Sequence, residues 1–202
     1  MSRLSPSFVL GYHGCEAKVG RQALAGDEEL QLSEKAFDWL GPGIYFWEGD
    51  AKRALEWAKL KRYDDDFEEP FVIGAIIDLR NCLDLMVRED IEIVKAAAQD
   101  YRRSREKAGL PLPKNTPAPN DPSPDRVMRY LDCAVINHLH ALVDGTKKSI
   151  EPPKGVEPYD TVRALFGEGV EIYDGSGFRA KTHSQIAVRN LRCIKGFFLP
   201  RP

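Results

Sequence analysis

Apolar, β-prone segments at both ends of the chain and helical patterns concentrated in its middle predict an α+β fold. Three observations carry this. "SFVLGYHGC" (7–15), "GIYFWE" (43–48) and "FVIGAIIDL" (71–79) are short runs rich in β-branched and aromatic residues. "DAKRALEWAKLKRY" (50–63), "VREDIEIVKAAAQDYRRSREKAG" (87–109) and "PDRVMRYLDCAVINHLHALVDG" (124–145) repeat apolar residues at helical spacing. The C-terminal "THSQIAVRNLRCIKGFFLP" reads as two strands around Asn190-Leu191. With 202 residues, a single domain spanning 1–202 has enough chain for a substantial core. Residues 86–158 read as a helical and proline-rich insertion within it.

Taken in order, the first strand is expected to break at Gly14, and "VGRQALAGDEEL" to form a short helix or turn followed by an acidic loop. Gly41-Pro42-Gly43 makes a shaped loop, because glycine permits tight turns and proline fixes one dihedral. Ile44 to Trp47 follows as a buried strand. In the helix of 50–63, Asp50 is available as the N-cap. The run 71–79 is expected to be a central strand. The helix of 87–109 has acids early, bases late and a terminal glycine, which suits its dipole. Six prolines between 111 and 124 predict an exposed extended connection with neither helix nor ladder. The next helix is expected to start at Ser123-Pro124-Asp125. "EPPKGVEP" (151–158) is a linker, "YDTVRALFGEG" a short helix, and "VEIYDGSGF" a strand and turn.

The bulk properties exclude several classes. Lys and Arg total 29 against 31 Asp and Glu, a formal charge of -2, so no global field attracts nucleic acid or membrane. "YRRSREK" (101–107) is a local positive stretch, read as a solvated helix face. There is no 18-residue apolar run, and the apolar N-terminal stretch is too short for a signal-peptide core; a cytosolic protein without membrane partners is expected. Cys15, Cys82, Cys133 and Cys193 are far apart and form no CxxC pair, so they read as reduced and mostly buried. His138 and His140 face different sides of a helix and read as structural, and no metal-ligand set is seen.

The chemistry is carried by His13-Gly14 in "GYHGC", by "GPGIYF" some thirty residues later, and by the helix containing "AKRALEW". In this order the segments resemble the poly-ADP-ribose polymerase and diphtheria-toxin class of NAD-dependent ADP-ribosyltransferases. The resemblance covers roughly the first 65 residues specifically and the last 30 loosely. It implies a split β-sandwich of two mainly antiparallel sheets, with NAD bound in the cleft between them. It further implies that His13 hydrogen-bonds the adenosine ribose and that the Gly14 backbone holds the nicotinamide amide. Tyr45 would stack on the nicotinamide ring, and Trp57, with one residue inserted relative to the family spacing, would close its other face. Each residue singly also suits an ordinary core role.

The physical demands of the ligand agree with these residue types. A flat cationic ring is held well by aromatic faces, and glycine removes a side chain that would block approach. Breaking the nicotinamide–ribose bond requires stabilising an oxocarbenium-like sugar. The family's late-strand glutamate is absent: alternative alignments place Gln185 or Ser184 there, Gln185 being favoured because Ile186 and Val188 then form the core-facing row. Glu168 and Glu171 lie upstream as alternatives, and Arg179, Lys181 and Arg189 are candidate contacts to phosphate or acceptor. Exchanging a charged for a neutral hydrogen bond costs about 1–2 kcal/mol, on the order of ten- to thirtyfold in rate. The resemblance thus implies a mono-ADP-ribosyltransferase with catalytic His13, Tyr45 and Gln185, acting on a protein or nucleic-acid acceptor. NAD hydrolysis by a toxin or defence factor, a silent NAD- or ADP-ribose-binding module, and a helical interaction protein are the competing readings; a regulatory partner is left open.

Overall fold

The N-terminal strand is the axis on which the sheet is built. The computed structural model describes residues 8–63, 67–119, 125–145 and 157–201. Within them β1 (Phe8–Glu16) runs straight through Gly14 and pairs antiparallel with β3 (Pro70–Asp78) from Phe8↔Asp78 to Glu16↔Pro70. On its other edge β1 meets β2 (Ile44–Glu48) only at Gly11↔Glu48 and Tyr12↔Trp47. Beyond β2 lie β6 (His183–Val188), β5 (Thr161–Phe166) and the short β4 (Cys82–Asp84), while β7 (Ile194–Phe198) pairs with β3 at the opposite edge.

The order β4-β5-β6-β2-β1-β3-β7 describes one seven-stranded sheet. It is mixed, because β4 and β5 are parallel. The α+β class therefore holds, but the implied split sandwich of two sheets does not. Its physical reason is the pair of contacts between β1 and β2, which joins both halves into a continuous hydrogen-bonded layer.

Both faces of the sheet are covered, giving two apolar clusters. Ile44, Phe46, Ile73, Ile77, Ile186 and Val188 pack on one side with Ala23 of helix α1 (Ala17–Ala25). On the other, Leu83, Val162, Ala164 and Ala187 meet Ile136, Leu139 and Val143 of helix α4 (Tyr130–Val143) and Ala97 of helix α3 (Arg88–Lys107). Consequently the row containing Gln185 and Ala187 also faces a core, and Ala187 is as buried as Ile186. β3, expected to be central, lies second from the edge; its apolarity follows from the complete burial of Ile73, Ala75 and Ile77.

Local chemistry sets most helix ends. Asp50 caps α2 (Ala51–Tyr63) as expected, its Oδ1 accepting from the Arg53 amide at 2.8 Å. α3 carries Glu89 and Asp90 in its first turn and Arg105 and Lys107 in its last, and Gly109 follows with φ of 65°. α4 starts at Tyr130, later than Ser123-Pro124-Asp125 predicts; Ser123 and Pro124 lie outside the described residues. Asp125 accepts instead from the Gly169 amide at 2.7 Å. The donors at the start of α4, Leu131 and Asp132 N–H, bond to Asn115 Oδ1 at 2.8 and 3.3 Å. The cap thus comes from the proline-rich segment, which also makes one bridge, Thr116 to Met128.

Two further expectations are overturned near the C-terminus. "YDTVRALFGEG" contains strand β5 rather than a helix, since Thr161 to Phe166 pairs residue by residue with Val188 to His183. Its Thr161 hydroxyl donates to the Leu79 carbonyl at 2.7 Å. "VEIYDGSGF" contains no strand: turns and the lone bridge Glu171↔Arg179 leave Val170, Ile172 and Tyr173 exposed. Most of the 151–158 linker lies outside the described residues.

The aromatic run of β2 stops at an acid because Glu48 ties three strands together. Arg163 of β5 donates to both Glu48 oxygens at 2.7 Å, Ser184 of β6 donates to Glu48 Oε2 at 2.7 Å, and Arg163 also reaches Asp84 of β4 at 3.2 Å. This bidentate arrangement is the strong form of a carboxylate–guanidinium contact. Glu48→Ala leaves Arg163 and Ser184 without that acceptor, and chemical denaturation is expected to register a loss of about 2–4 kcal/mol.

The histidines of α4 are structural in different ways. His138 Nε2 contacts Asp100 Oδ2 at 2.8 Å, linking α4 to α3. His140 is buried, with Tyr159 alongside it, and neither of its ring nitrogens has a hydrogen-bond partner among the described residues. Burial, and secondarily Arg189, lower its pKa to about 3. The unfolded chain therefore takes up a proton below about pH 6.5 that the folded chain refuses, so this contribution falls as pH falls. Between pH 6 and 4, urea titrations of His140→Leu should show a stability slope shallower than wild type by about 1.4 kcal/mol per pH unit.

Candidate functional site

The junction of β1, β2 and β6 gathers the strands that carry the sequence-derived candidates. β1 and β2 stop pairing after Tyr12 and Trp47, leaving His13 and Tyr45 on the portions that lack a mutual ladder. His13 spans this opening: its Nδ1 lies 2.8 Å from the Tyr45 carbonyl. A carbonyl only accepts, so Nδ1 carries the proton and Nε2 is an acceptor in the neutral ring. Burial holds the His13 pKa below its ordinary value, with the carbonyl contact partly opposing it, so the neutral form prevails at pH 7. The ring lies 5.6 Å from that of Phe46, on the side of the sheet opposite Tyr45.

Tyr45 holds the glycine-proline loop. Its hydroxyl donates to the Gly41 carbonyl at 2.8 Å and accepts from the Leu40 amide at 3.1 Å. Burial and the nearby Asp38 raise its pKa far above the ordinary phenol value. The phenol is thus a clamp, which fixes the orientation of the ring. Gly41, at φ 78°, adopts a left-handed conformation, and a β-carbon there would approach Ile136 of α4 to 2.9 Å. At Gly14 an added β-carbon would sit 2.4 Å from the Ala54 carbonyl of α2. The glycine therefore permits close helix–strand packing.

Trp57 of α2 lies against Trp47 at 5.7 Å and Phe67 at 5.9 Å between ring centroids, with Lys61 over its face at 5.8 Å. Trp47 follows Tyr45 by two residues and shares its face, so Trp57 joins that side of the sheet through Trp47. Gln185 lies opposite Trp47 across the β2–β6 ladder. Its Oε1 accepts from the Trp39 indole at 2.7 Å; since an indole only donates, chemistry assigns the amide orientation and turns Nε2 the other way. Gln185 is thereby a donor group toward its remaining surroundings.

The alternatives to Gln185 are engaged elsewhere. Ser184 points to the opposite face and donates to Glu48. Glu168 pairs with buried Arg53 at 2.7 Å and with Lys181 at 3.8 Å, while Glu171 accepts from the Gly175 amide. Arg179 reaches the Gly169 carbonyl, and Arg189 holds Tyr159 O and Asp144.

Two residues that the sequence reading passed over belong to this face. Trp39 packs edge-on against Phe166 at 4.9 Å, and Arg129 stacks over both rings. His183 precedes Gln185 by two and so shares its face; it stacks on Phe166 at 5.5 Å and lies 6.2 Å from Trp47. Its Nδ1 contacts the Lys181 carbonyl at 2.7 Å, and burial lowers its pKa. The buried atoms His183 Nε2, Trp47 Nε1 and Arg53 Nε have no hydrogen-bond partner among the described residues. The i, i+2 spacing of His183 and Gln185 was the available signal for one of them; for Trp39, 146 residues from its partner, no local signal exists.

Compared with family models, curated proteins and solved structures, the chain matches none of them. No group of three or more metal-ligating side chains is found among the described residues. The thiols are unbridged; Cys15, Cys133 and Cys193 are buried and Cys82 is half-buried. Burial pushes Cys15 and Cys193 up to about 11 and Cys82 to about 12. Trp39→Phe keeps the ring edge but removes the donor to Gln185. The expected result is a loss of about 0.5–1.5 kcal/mol in denaturant stability, together with a shift of the Gln185 side-chain amide resonances in NMR spectra.

Proposed function

We propose that the chain binds NAD at the junction of β1, β2 and β6 and breaks its nicotinamide–ribose bond, acting as a mono-ADP-ribosyltransferase on a protein or nucleic-acid acceptor. The observation that carries the reading is the strand order β6-β2-β1, which makes neighbours of the strands bearing Gln185, Tyr45 and His13 at the point where β1 and β2 part. A neutral His13 with an accepting Nε2 suits a ribose hydroxyl reached through the gap where β1 and β2 part, because its ring lies on the side of the sheet opposite Tyr45. The clamped Tyr45 ring suits a flat ligand, and the aromatic cluster of Trp47 and Trp57 extends that surface. In the reaction, the carbon–nitrogen bond breaks with its electron pair passing to the cationic ring, so nicotinamide leaves neutral. An acceptor lone pair forms the new bond to the sugar carbon, and its proton passes to solvent.

A second reading, an NAD- or ADP-ribose-binding module without turnover, is favoured by one specific contact. Trp39 engages the Gln185 oxygen, the atom suited to a developing positive charge, and leaves the amide N–H groups for the remaining surroundings. Incubation with adenylate-labelled NAD, with and without cell lysate, separates the cases: label on macromolecules supports transfer, free ADP-ribose indicates water as nucleophile, and retained intact NAD indicates the module. Gln185→Glu is expected to raise nicotinamide release on the order of tenfold and Gln185→Ala to lower it. Absence of any NAD interaction, by calorimetry or turnover, overturns both readings.

A further inference from the structure

A cleft of about 430 Å³ opens between α3 and α4, with Trp39 and Leu112 completing its walls. This volume falls in the range of small-molecule sites. Val94, Tyr101, Leu131 and Val135 make the lining largely apolar, and wet apolar walls favour displacement of their water by an apolar guest. Trp39 and Tyr101 offer ring surfaces, with the Arg129 guanidinium 5.6 Å from the Trp39 centroid.

The charges of the lining are unbalanced in a defined way. Lys95, Arg102, Arg129 and Asp132 reach the cleft. Arg129 pairs with Asp132 at 2.9 Å, and Lys95 pairs with Glu92 at 3.1 Å. Arg102 makes no ion pair or hydrogen bond among the described residues. It stands one helical repeat from Lys95, seven residues on, so both lie on the same face of α3. One positive charge is left uncompensated beside an apolar, ring-walled space.

We infer that this cleft binds a small aromatic acid: a flat apolar body placed among Trp39, Tyr101 and Leu131, with a single carboxylate directed to Arg102. The inference is independent of the NAD reading. It gives the helical insertion a ligand, and it connects that ligand to the sheet, because the Trp39 ring that walls the cleft also holds Gln185 through its indole N–H. Occupancy is therefore expected to be sensed at Gln185.

The test uses 2-naphthoate as probe, with the neutral 2-naphthylmethanol and the cationic 2-naphthylmethylamine as comparisons, on the full chain labelled with nitrogen-15. Saturable binding of 2-naphthoate that shifts the Trp39 indole resonance and the Gln185 side-chain amide, at least tenfold tighter than the neutral analogue, is the expected result. Arg102→Glu, at an exposed position, should abolish the preference for the acid without altering the fold, and Ala98→Trp should fill the cleft and weaken all three probes. Equal affinity for acid and alcohol, shifts confined to the Trp47 and Trp57 indoles, undiminished binding in Ala98→Trp, or no saturable binding overturns the inference.

Discussion

The whole sheet depends on a short seam between β1 and β2. Among the described residues, two residue pairs, Gly11↔Glu48 and Tyr12↔Trp47, form the ladder that joins the long β1–β3–β7 half to the β2–β6–β5–β4 half, and just beyond it the Gly49 amide donates to the Leu10 carbonyl at 2.9 Å. Past that seam the strands part, and each leaves backbone groups that need partners. His13 supplies one at the Tyr45 carbonyl. A side chain does there what a strand neighbour does elsewhere. The tightness of β1 against its surroundings is set by its glycines: an added β-carbon at Gly11 would approach Ile77 and Phe46 to 2.6 and 2.8 Å, and one at Gly14 would meet α2.

The same seam organises the polar groups on the two faces. On the α1 side, Glu48 gathers Arg163 and Ser184 and so braces the half of the sheet with the shorter strands. On the other, the aromatic residues Trp57, Trp47, His183, Phe166 and Trp39 form a continuous series of ring contacts that ends in the cleft between α3 and α4. Gln185 lies within this series and is bonded to its last member. Gln185 is therefore linked through Trp39 to the walls of the cleft between α3 and α4. Among the described residues no helix is long and apolar enough to cross a membrane.

Particular residues show how far local pattern reaches. Asp50 before a run of small and apolar residues marks the start of α2, and acids and bases disposed along 88–107 mark α3, because both signals act within a turn of the residues they stabilise. "YDTVRALFGEG" misleads for the opposite reason. Its composition suits a short helix, yet pairing with β6 along its length makes it a strand, and that partner lies some twenty residues away. The start of α4 is displaced because its donors find Asn115, sixteen residues back, in place of a cap of their own.

For the candidate site, the types of His13, Gly14, Tyr45 and Gln185 were legible, and so was the placement of His13, Tyr45 and Gln185 on strands, whereas Gly14 lies inside β1 and not at its end. The sequence by itself determined the α+β class, the apolar runs that become β1, β2, β3, β6 and β7, and the helices bearing strong end signals. Only the tertiary structure decided that the strands form one mixed sheet, that Gly14 serves α2, that Tyr45 clamps its own loop, and that Trp39 orients Gln185. The reason is physical: periodicity and capping are properties of a few neighbouring residues, whereas strand order, cross-sheet hydrogen bonds and the fit of a glycine beneath a helix exist only once distant segments meet.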